Sequence, residues 1–209
     1  MSPSDIQSPM DTASYLIDIN NLLMSPFDNP EGLKKLLDIL SDLLIDFMKK
    51  QIEMIGDVLV LPGHGFAASR NFGGLGMSDD VMMMLLGDQY VEFEAPCMAK
   101  VGEPFGGAVF HSCGNWSPKI SAVKKIQNLI MVDGAFSTET DPDLNPAEPF
   151  VDGFAGTKII VNARAVGEAD VAIEKAQKLW KPGMKLIVVT YCKTPDEQRQ
   201  AYEKIHELV

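Results

Sequence analysis

The sequence predicts an α/β fold in which parallel strands alternate with helices. Five short apolar runs rich in β-branched residues are separated by segments with helical periodicity. Continuous apolar runs are typical of parallel strands because helices cover both faces of such a sheet. The chain has 209 residues, of which 46% are hydrophobic, and this is enough to bury a core. We therefore expect one domain over residues 1–209.

The amino-terminal part of the chain predicts an irregular segment followed by a long helix. Residues 1–30 are rich in Ser, Pro, Asp and Asn and predict an irregular stretch. Asn29 can cap a helix, and Pro30 suits the first helical turn. Apolar residues then recur at steps of three and four up to about Ile55, which is typical of an amphipathic helix. Gly56 is expected to end this helix.

The strands and the remaining helices alternate along the rest of the chain. The predicted strands are Asp57 to Pro62, Gly107 to His111, Leu129 to Val132, Lys158 to Val161 and Lys185 to Thr190. Helices are predicted at about 88–102, 117–128, 167–180 and 194–208, the last with a capping box from Thr194 to Glu197. The glycine-rich stretch from Asn71 to Gly76 lacks the spacing of a dinucleotide-binding loop, so we interpret it as a flexible loop.

The charge of the chain argues against several classes of partner. Eighteen Lys and Arg against 29 Asp and Glu give a formal net charge of −11. Such a chain has no basic surface for nucleic acid or for an anionic membrane. Its apolar runs are much shorter than the roughly 20 residues of a membrane span, and no secretory signal pattern opens it. We expect a cytoplasmic protein whose three cysteines are reduced thiols.

The predicted strand ends carry histidine and cysteine, and ligands of parallel α/β folds gather at those ends. His111 and Cys113 are two positions apart on a strand, so their side chains leave the same face and can reach one ion. Cys192 follows a later strand and can join them if the strands curl into a barrel. Imidazole and thiolate ligands suit zinc. On residue types alone, buried hydrophobic cysteines and a hydrogen-bonded histidine remain the alternative.

Three motifs at or near these strand ends resemble those of a known family. They are His111-Ser112-Cys113-Gly114-Asn115, Val189-Thr190-Tyr191-Cys192 and Gly76-Met77-Ser78-Asp79-Asp80. Together they resemble the uroporphyrinogen decarboxylase superfamily, and within it the zinc-dependent corrinoid methyltransferases. That branch is marked by a His-x-Cys pattern and a second cysteine far downstream.

This resemblance implies a zinc-dependent methyltransferase that moves a methyl group between a corrinoid and a thiol such as coenzyme M. His111, Cys113 and Cys192 would ligate Zn²⁺ and so carry the catalysis, with Glu139 as a candidate fourth ligand. The bound thiol would lose its proton and attack the methyl group as a thiolate. A separate corrinoid protein would present the methyl group.

Two other functions stay open at this point. One is metal-free decarboxylation of uroporphyrinogen, which the His-x-Cys pattern disfavours. The scarcity of arginine disfavours it too, since Arg70, Arg164 and Arg199 are the only three and the substrate has many carboxylates. The other is a non-catalytic subunit or fragment that binds a corrinoid or a tetrapyrrole.

Five further polar residues are candidates for substrate contact. Asp79 and Asp80 would touch substrate or cap the helical turn that follows them. His64 would contact substrate or make a structural hydrogen bond. Asn115 would orient the metal ligands. Arg164 would bind an acidic group of the thiol, such as a sulfonate, or form a surface ion pair.

The strand count suggests that the chain corresponds to part of a larger fold. A (β/α)₈ barrel takes about 250 residues and eight strands, whereas five strands are visible here. These five strands resemble strands four to eight of the family barrel. The predicted fold is therefore an incomplete TIM-barrel type that corresponds to the C-terminal part of that barrel. Its open edges should be covered by residues 1–30, by a complementary chain or by self-association.

Overall fold

Parallel strands joined by helices make up the computed structural model, which describes residues 1–208. The sheet has five strands in the order β1-β2-β3-β4-β5. They are β1 (Leu75–Ser78), β2 (Ala108–His111), β3 (Leu129–Ala135), β4 (Ile160–Arg164) and β5 (Lys185–Val189). This architecture confirms the predicted fold class, an incomplete (β/α)₈ type.

Nine α-helical segments accompany the strands in residues 1–208. They are α1 (Pro9–Ser14), α2 (Ile19–Asp28), α3 (Pro30–Ile55), α4 (Gly87–Gln89), α5 (Ala95–Gly102), α6 (Ile120–Val123), α7 (Ala147–Phe154), α8 (Ala169–Leu179) and α9 (Pro195–His206). A π-helical turn at Tyr90–Glu94 joins α4 to α5. None of the helices that the structure describes is long and apolar enough to cross a membrane.

The long helix begins and ends where the sequence predicts. Asn29 accepts a hydrogen bond from the backbone N–H of Gly32 at 3.1 Å, and Pro30 opens α3. Gly56 ends it with a positive φ of 68°, a conformation that glycine adopts without strain. At the other end of the chain, Thr194 caps α9 by accepting from the N–H of Glu197. Both caps confirm the predicted helix boundaries.

The chain divides into two compact units. The first comprises residues Met1–Ser112 and Ser121–Ile130. In this unit β1 and β2 pair in parallel, with Ser78 opposite His111, and every residue of both strands is buried. Helix α3 contributes one buried face, which includes Leu33, Leu37 and Met48. The paired strand ends therefore rest on a well-packed core.

The second unit comprises Cys113–Ile120 and the described residues from Met131 onward. Strand β3 pairs in parallel with β4, and β4 with β5. Aromatic rings fill its interior: Phe150 lies 4.7 Å from Trp116 and 5.0 Å from Phe136, measured between ring centroids. The indole N–H of Trp116 donates to the carbonyl oxygen of Asp133 at 2.9 Å, so this buried polar group is satisfied.

The predicted first strand, Asp57 to Pro62, is wrong. Residues Gly56–Val58 form a 3₁₀ turn, and Val58 is exposed. The segment lies against the chain terminus instead, with the N–H of Val60 donating to the carbonyl of Met1 at 2.8 Å. An apolar run forms a buried strand only if neighbouring strands pair with it. This run pairs only through an isolated bridge between Leu61 and Ser69.

The true first strand, β1 (Leu75–Ser78), begins inside the glycine-rich stretch Asn71 to Gly76, which the sequence predicts to be a flexible loop. Its glycines reflect close packing. A Cβ atom at Gly74 would lie 2.7 Å from a methyl carbon of Val109 and 2.5 Å from one of Ile130. One at Gly76 would lie 3.0 Å from the ring of Phe66. Gly76 therefore marks the close approach of a neighbouring ring, whereas Gly74, just before the strand, also has a φ of 89°, a backbone conformation that favours glycine.

Residues 1–30 contain two helices, α1 and α2, and are not irregular as predicted. Ser8 caps α1 by accepting from the N–H of Asp11, and Asp18 caps α2 in the same way from Asn20. Ahead of α1, the N–H of Ser78 donates to the carbonyl of Ile6 at 3.0 Å. The N–H of Ser8 donates back to the carbonyl of Ser78. The amino-terminal segment thus covers the edge of β1, one of the three ways predicted for an open edge.

Candidate metal centre

Three side chains of different chemistry meet beyond the carboxyl ends of β1 and β2. A carboxylate oxygen of Asp80, a ring nitrogen of His111 and the sulfur of Cys113 all lie within 4.8 Å of one another. Asp80 and Cys113 are exposed, whereas His111 is buried. Cys113 is the first residue of the second unit, but only Ser112 separates it from His111. The local chain path therefore brings them together.

The register of β1 and β2 places Asp80 beside His111. Ser78 is opposite His111 in the parallel pair, and the N–H of Asp79 donates to the carbonyl of His111 at 2.8 Å. The chain then turns, and the hydroxyl of Ser112 lies 3.4 Å from Oδ1 of Asp80, to which it donates. The approach of Asp80 to His111 is thus a consequence of strand pairing.

Acidic and amide side chains fix the backbone that follows Cys113. Asp141 accepts from the N–H of Gly114 at 2.8 Å, and Asp143 from that of Asn115 at 3.3 Å. Asn145 accepts from the N–H of Trp116 at 3.1 Å and donates to the carbonyl of Gly114 at 3.0 Å. Gly114 itself has a φ of 68°, which suits glycine at a sharp turn. These contacts within the second unit hold the turn that presents Cys113.

His64 lies against the candidate ligand His111. The two imidazole rings are 4.4 Å apart between centroids and inclined by 54°. Phe66 also packs edge-on against His111, at 6.4 Å. The Nδ1 atom of His64 contacts the carboxylate of Asp5. His64 thus lies beside the candidate metal centre, next to one ligand and hydrogen-bonded to the amino-terminal segment.

Asp79, which directly precedes Asp80, is buried in the first unit near two other acidic side chains, Glu94 and Asp11. It is 0% exposed, and Oδ1 accepts from the hydroxyl of Ser8 at 3.2 Å. Burial, reinforced by the charges of Glu94 and Asp11, raises the pKa of Asp79 well above its ordinary value. Burial likewise raises the pKa of Glu94 from 4.5 to about 8. The phenol of Tyr90 is also fully buried, and this burial raises its pKa well above the ordinary value.

The other predicted ligands lie in the second unit. Cys192 is half-buried and packs with Ile205 against Ala169, Ile173 and Ala201, and its N–H donates to the side chain of Gln198. Glu139 is exposed, and its Oε2 accepts from the hydroxyl of Thr138. Zinc ligation by Cys192 and Glu139 stays a prediction. Cys97, the third cysteine, donates to the carbonyl of Phe93, and burial raises its pKa to about 12.

Two predicted substrate contacts have structural partners in the second unit. The side chain of Asn115 accepts from the N–H and the hydroxyl of Ser117, so it stabilises the turn after Cys113. Arg164 forms an ion pair with Asp133, Nε to Oδ2, at 2.7 Å. The Asp133 side chain is only 3% exposed and also accepts from Asn162, so this pair is buried rather than superficial. Nη2 of Arg164 is buried without a hydrogen-bond partner in residues 1–208.

Sequence reasoning missed Asp141, Asp143 and Asn145 as residues that position the candidate centre. It also missed the ion pair partner Asp133, although that residue closes a predicted strand. The acidic residues in the loop after β3 were the feature of the sequence that could have indicated this role. Their hydrogen bonds to the Gly114–Trp116 backbone depend on tertiary packing, which the sequence pattern does not predict.

The comparison with protein families identifies the chain. A family model described as uroporphyrinogen decarboxylase (URO-D) matches residues 4–152. The chain belongs to the uroporphyrinogen decarboxylase family. Membership confirms the family that the three motifs indicate. A search of curated proteins found no match.

A solved structure shares the fold of this uroporphyrinogen decarboxylase family member. It is a methyltransferase from Methanosarcina mazei, with a TM-score of 0.63 and 18% sequence identity. The match covers 96% of this chain and 57% of the methyltransferase. At this identity the likeness shows the fold alone. The chain therefore spans little more than half the length of a protein with the same fold.

Proposed function

We propose that this family member is a zinc-dependent methyltransferase that moves a methyl group between a corrinoid and a small thiol. The observation that carries the proposal is the imidazole, thiol and carboxylate group formed by His111, Cys113 and Asp80. The methyltransferase fold of the Methanosarcina mazei protein is consistent with it. The His-x-Cys motif supports it further through the resemblance to zinc-dependent methyltransferases.

The donor set fits zinc. Zinc in proteins takes sulfur at about 2.3 Å and nitrogen or oxygen at about 2.0–2.2 Å, mostly in tetrahedral geometry. Donor atoms around such an ion lie roughly 3.3–3.8 Å apart. The group within 4.8 Å therefore needs only small side-chain adjustments to surround an ion. Magnesium and calcium prefer oxygen ligands, so a thiol and an imidazole favour zinc over both.

The residues of the chain have distinct parts in this proposal. His111 and Cys113, with Cys192 by resemblance, would hold Zn²⁺, which supplies the charge that keeps a bound thiol deprotonated near neutral pH. His64 and Phe66 pack on His111 and fix its ring. Asp141 and Asn145 fix the turn after Cys113. Exposure of Cys113 leaves the centre accessible to a thiol from solvent.

The methyl donor of the proposed reaction is a methylated corrinoid carried by a partner protein. Attack of the thiolate sulfur on the methyl carbon forms the carbon–sulfur bond and breaks the cobalt–carbon bond, whose electron pair stays on cobalt. The thiol proton goes to solvent. A corrinoid protein and a complementary chain are the partners that we propose, since the related fold is much longer than this chain.

Methyl transfer from methylcobalamin to 2-mercaptoethanesulfonate tests the proposal. The zinc-loaded chain should accelerate the loss of the methylcobalamin absorption spectrum, and Cys113→Ser should abolish this. Cys97→Ser is the matched control, because Cys97 is a half-buried residue of α5 that is not part of the candidate centre, and its loss should not affect the rate. Equal rates for wild type and C113S would refute the proposal.

A further inference from the structure

Strand β5 has an edge that no other strand of the described residues covers. Among residues 1–208 it pairs with β4 alone, and residues 186–189 are half-buried, whereas every residue of β1 and β2 is buried. Lys185 is its only charged residue and it contains no proline, so β5 lacks the features that usually protect an edge from pairing. We propose that this edge pairs with the same edge of a second copy of the chain.

The backbone of β5 points hydrogen-bonding groups to this edge. The carbonyl of Val189 accepts from the N–H of Ala165, which follows β4, at 2.9 Å. Successive residues of a strand direct their N–H and C=O groups to opposite edges, so those of Leu186, Val188 and Thr190 point away from β4. No other strand among residues 1–208 pairs with them. A strand from another molecule can therefore form hydrogen bonds there.

A largely apolar groove follows the same edge. Its volume is about 340 Å³, and its walls include Leu186, Ile187 and Val188. Consecutive strand residues point to opposite faces of a sheet, so a groove that touches all three runs along the edge of the strand. Tyr202 of α9 also lines this groove and is 63% exposed. A second strand at the edge would cover this apolar surface.

The backbone of this edge is complementary to itself. Two copies related by a two-fold axis through Val188 run antiparallel, which is the commonest symmetry of protein dimers. Val188 then lies opposite Val188 of the second copy, and Leu186 lies opposite Thr190 of the second copy. These are the residues whose backbone groups point outward, so each opposing pair can exchange two hydrogen bonds.

The side chains agree with the same register. Ile187 lies opposite Val189 of the second copy, and pairs of β-branched residues stabilise neighbouring strands. Lys185 lies opposite Tyr191 of the second copy, which is 70% exposed, so an ammonium group meets an aromatic ring. No like charges face each other in this register. This self-complementarity favours a second copy as the occupant of the edge.

Sedimentation equilibrium of the full chain tests the dimer. Wild type should sediment with twice the mass of one chain. Val188→Lys should weaken the dimer at least about tenfold, because two like charges would face each other at the two-fold axis. Val188→Glu should do so for the same reason. Val58→Lys is the matched control, because Val58 is an exposed valine of the first unit and should leave the dimer unchanged.

An equimolar mixture of V188K and V188E tests the register. The new ammonium and carboxylate groups would face each other, so the mixture should regain most of the association that each variant loses alone. In wild type, hydrogen exchange at the amides of Leu186 and Val188 should slow as the dimer forms. A wild-type chain that stays monomeric at every concentration would overturn the inference and leave the edge to the complementary chain proposed above. A dimer that forms without protection of these two amides, or that neither variant weakens, would overturn it as well.

Discussion

The imidazole of His64 lies 4.4 Å from that of His111, centroid to centroid, and shields it from one side. His64 is held by the carboxylate of Asp5, which comes from the amino-terminal segment. This segment also covers the edge of β1 through Ile6 and Ser8. One stretch of chain therefore closes the edge of the sheet and supports a candidate metal ligand.

Replacing His64 should weaken metal binding without removing a ligand. His64→Ala opens space beside the His111 ring, and we expect zinc affinity to fall about tenfold, the lower end of the range for groups that support metal ligands. His64→Phe keeps an aromatic ring in place and should retain most of the affinity. Chelator competition measures both. Equal losses in the two variants would show that the contact with Asp5, and not ring packing, supports His111.

The stability of the first unit should fall as pH rises towards 8. The pKa of Glu94 is about 8 in the folded chain and near 4.5 when unfolded, because burial disfavours its charged form. The folded state therefore binds more protons than the unfolded state between these values, and stability decreases across that window. Asp79 shifts in the same direction.

Glu94→Gln removes the ionisable group and tests this pH dependence. Urea unfolding at several pH values from 5 to 8 should show a smaller decrease in the free energy of unfolding for the variant than for wild type. Glu103→Gln, which changes an exposed residue of the same unit, is the control and should follow wild type. If E94Q follows wild type as well, Glu94 is not a source of the pH dependence.

Loss of the Arg164 guanidinium should destabilise the second unit. Arg164→Ala leaves the buried carboxylate of Asp133 without its cation, and we expect a loss of about 3 kcal/mol in the free energy of unfolding. The double variant with Asp133→Asn should lose less than R164A alone, because no buried charge is left unpaired. Arg199→Ala, on exposed helix α9, is the control. Urea unfolding gives all four values, and an R164A protein as stable as wild type would contradict this interpretation.

Local pattern predicted much of the fold. The β-branched runs of β2 to β5 and the caps of α3 and α9 lie where the sequence places them, because buried parallel strands and helix ends impose their composition locally. Strand β1 was missed because Gly74 and Gly76, which make room for Val109 and Phe66, give this stretch the composition of a loop. Such packing involves residues distant in sequence, so it leaves no periodic signal.

The candidate site likewise has one part that local pattern predicts and one part that depends on tertiary packing. The spacing of His111 and Cys113 places two ligands together from strand geometry alone. The approach of Asp80 to His111 depends on the register of β1 and β2, which sets Ser78 opposite His111. Because the sequence pattern does not predict β1, it cannot predict this register. The carboxylate of Asp11 accepts from the backbone N–H groups of Asp80 and Val81, and the second of these contacts joins positions 70 residues apart in sequence, which local pattern does not predict.

Zinc content per chain is the measurement that tests the metal centre most directly. The chain, purified after growth with zinc and dialysed, should hold about one Zn²⁺ by elemental analysis. His111→Ala and Cys113→Ser should hold almost none, and we expect the same of Cys192→Ser. Cys97→Ser should keep the ion. A wild-type chain that is folded, free of metal and unable to take up added Zn²⁺ would contradict the account.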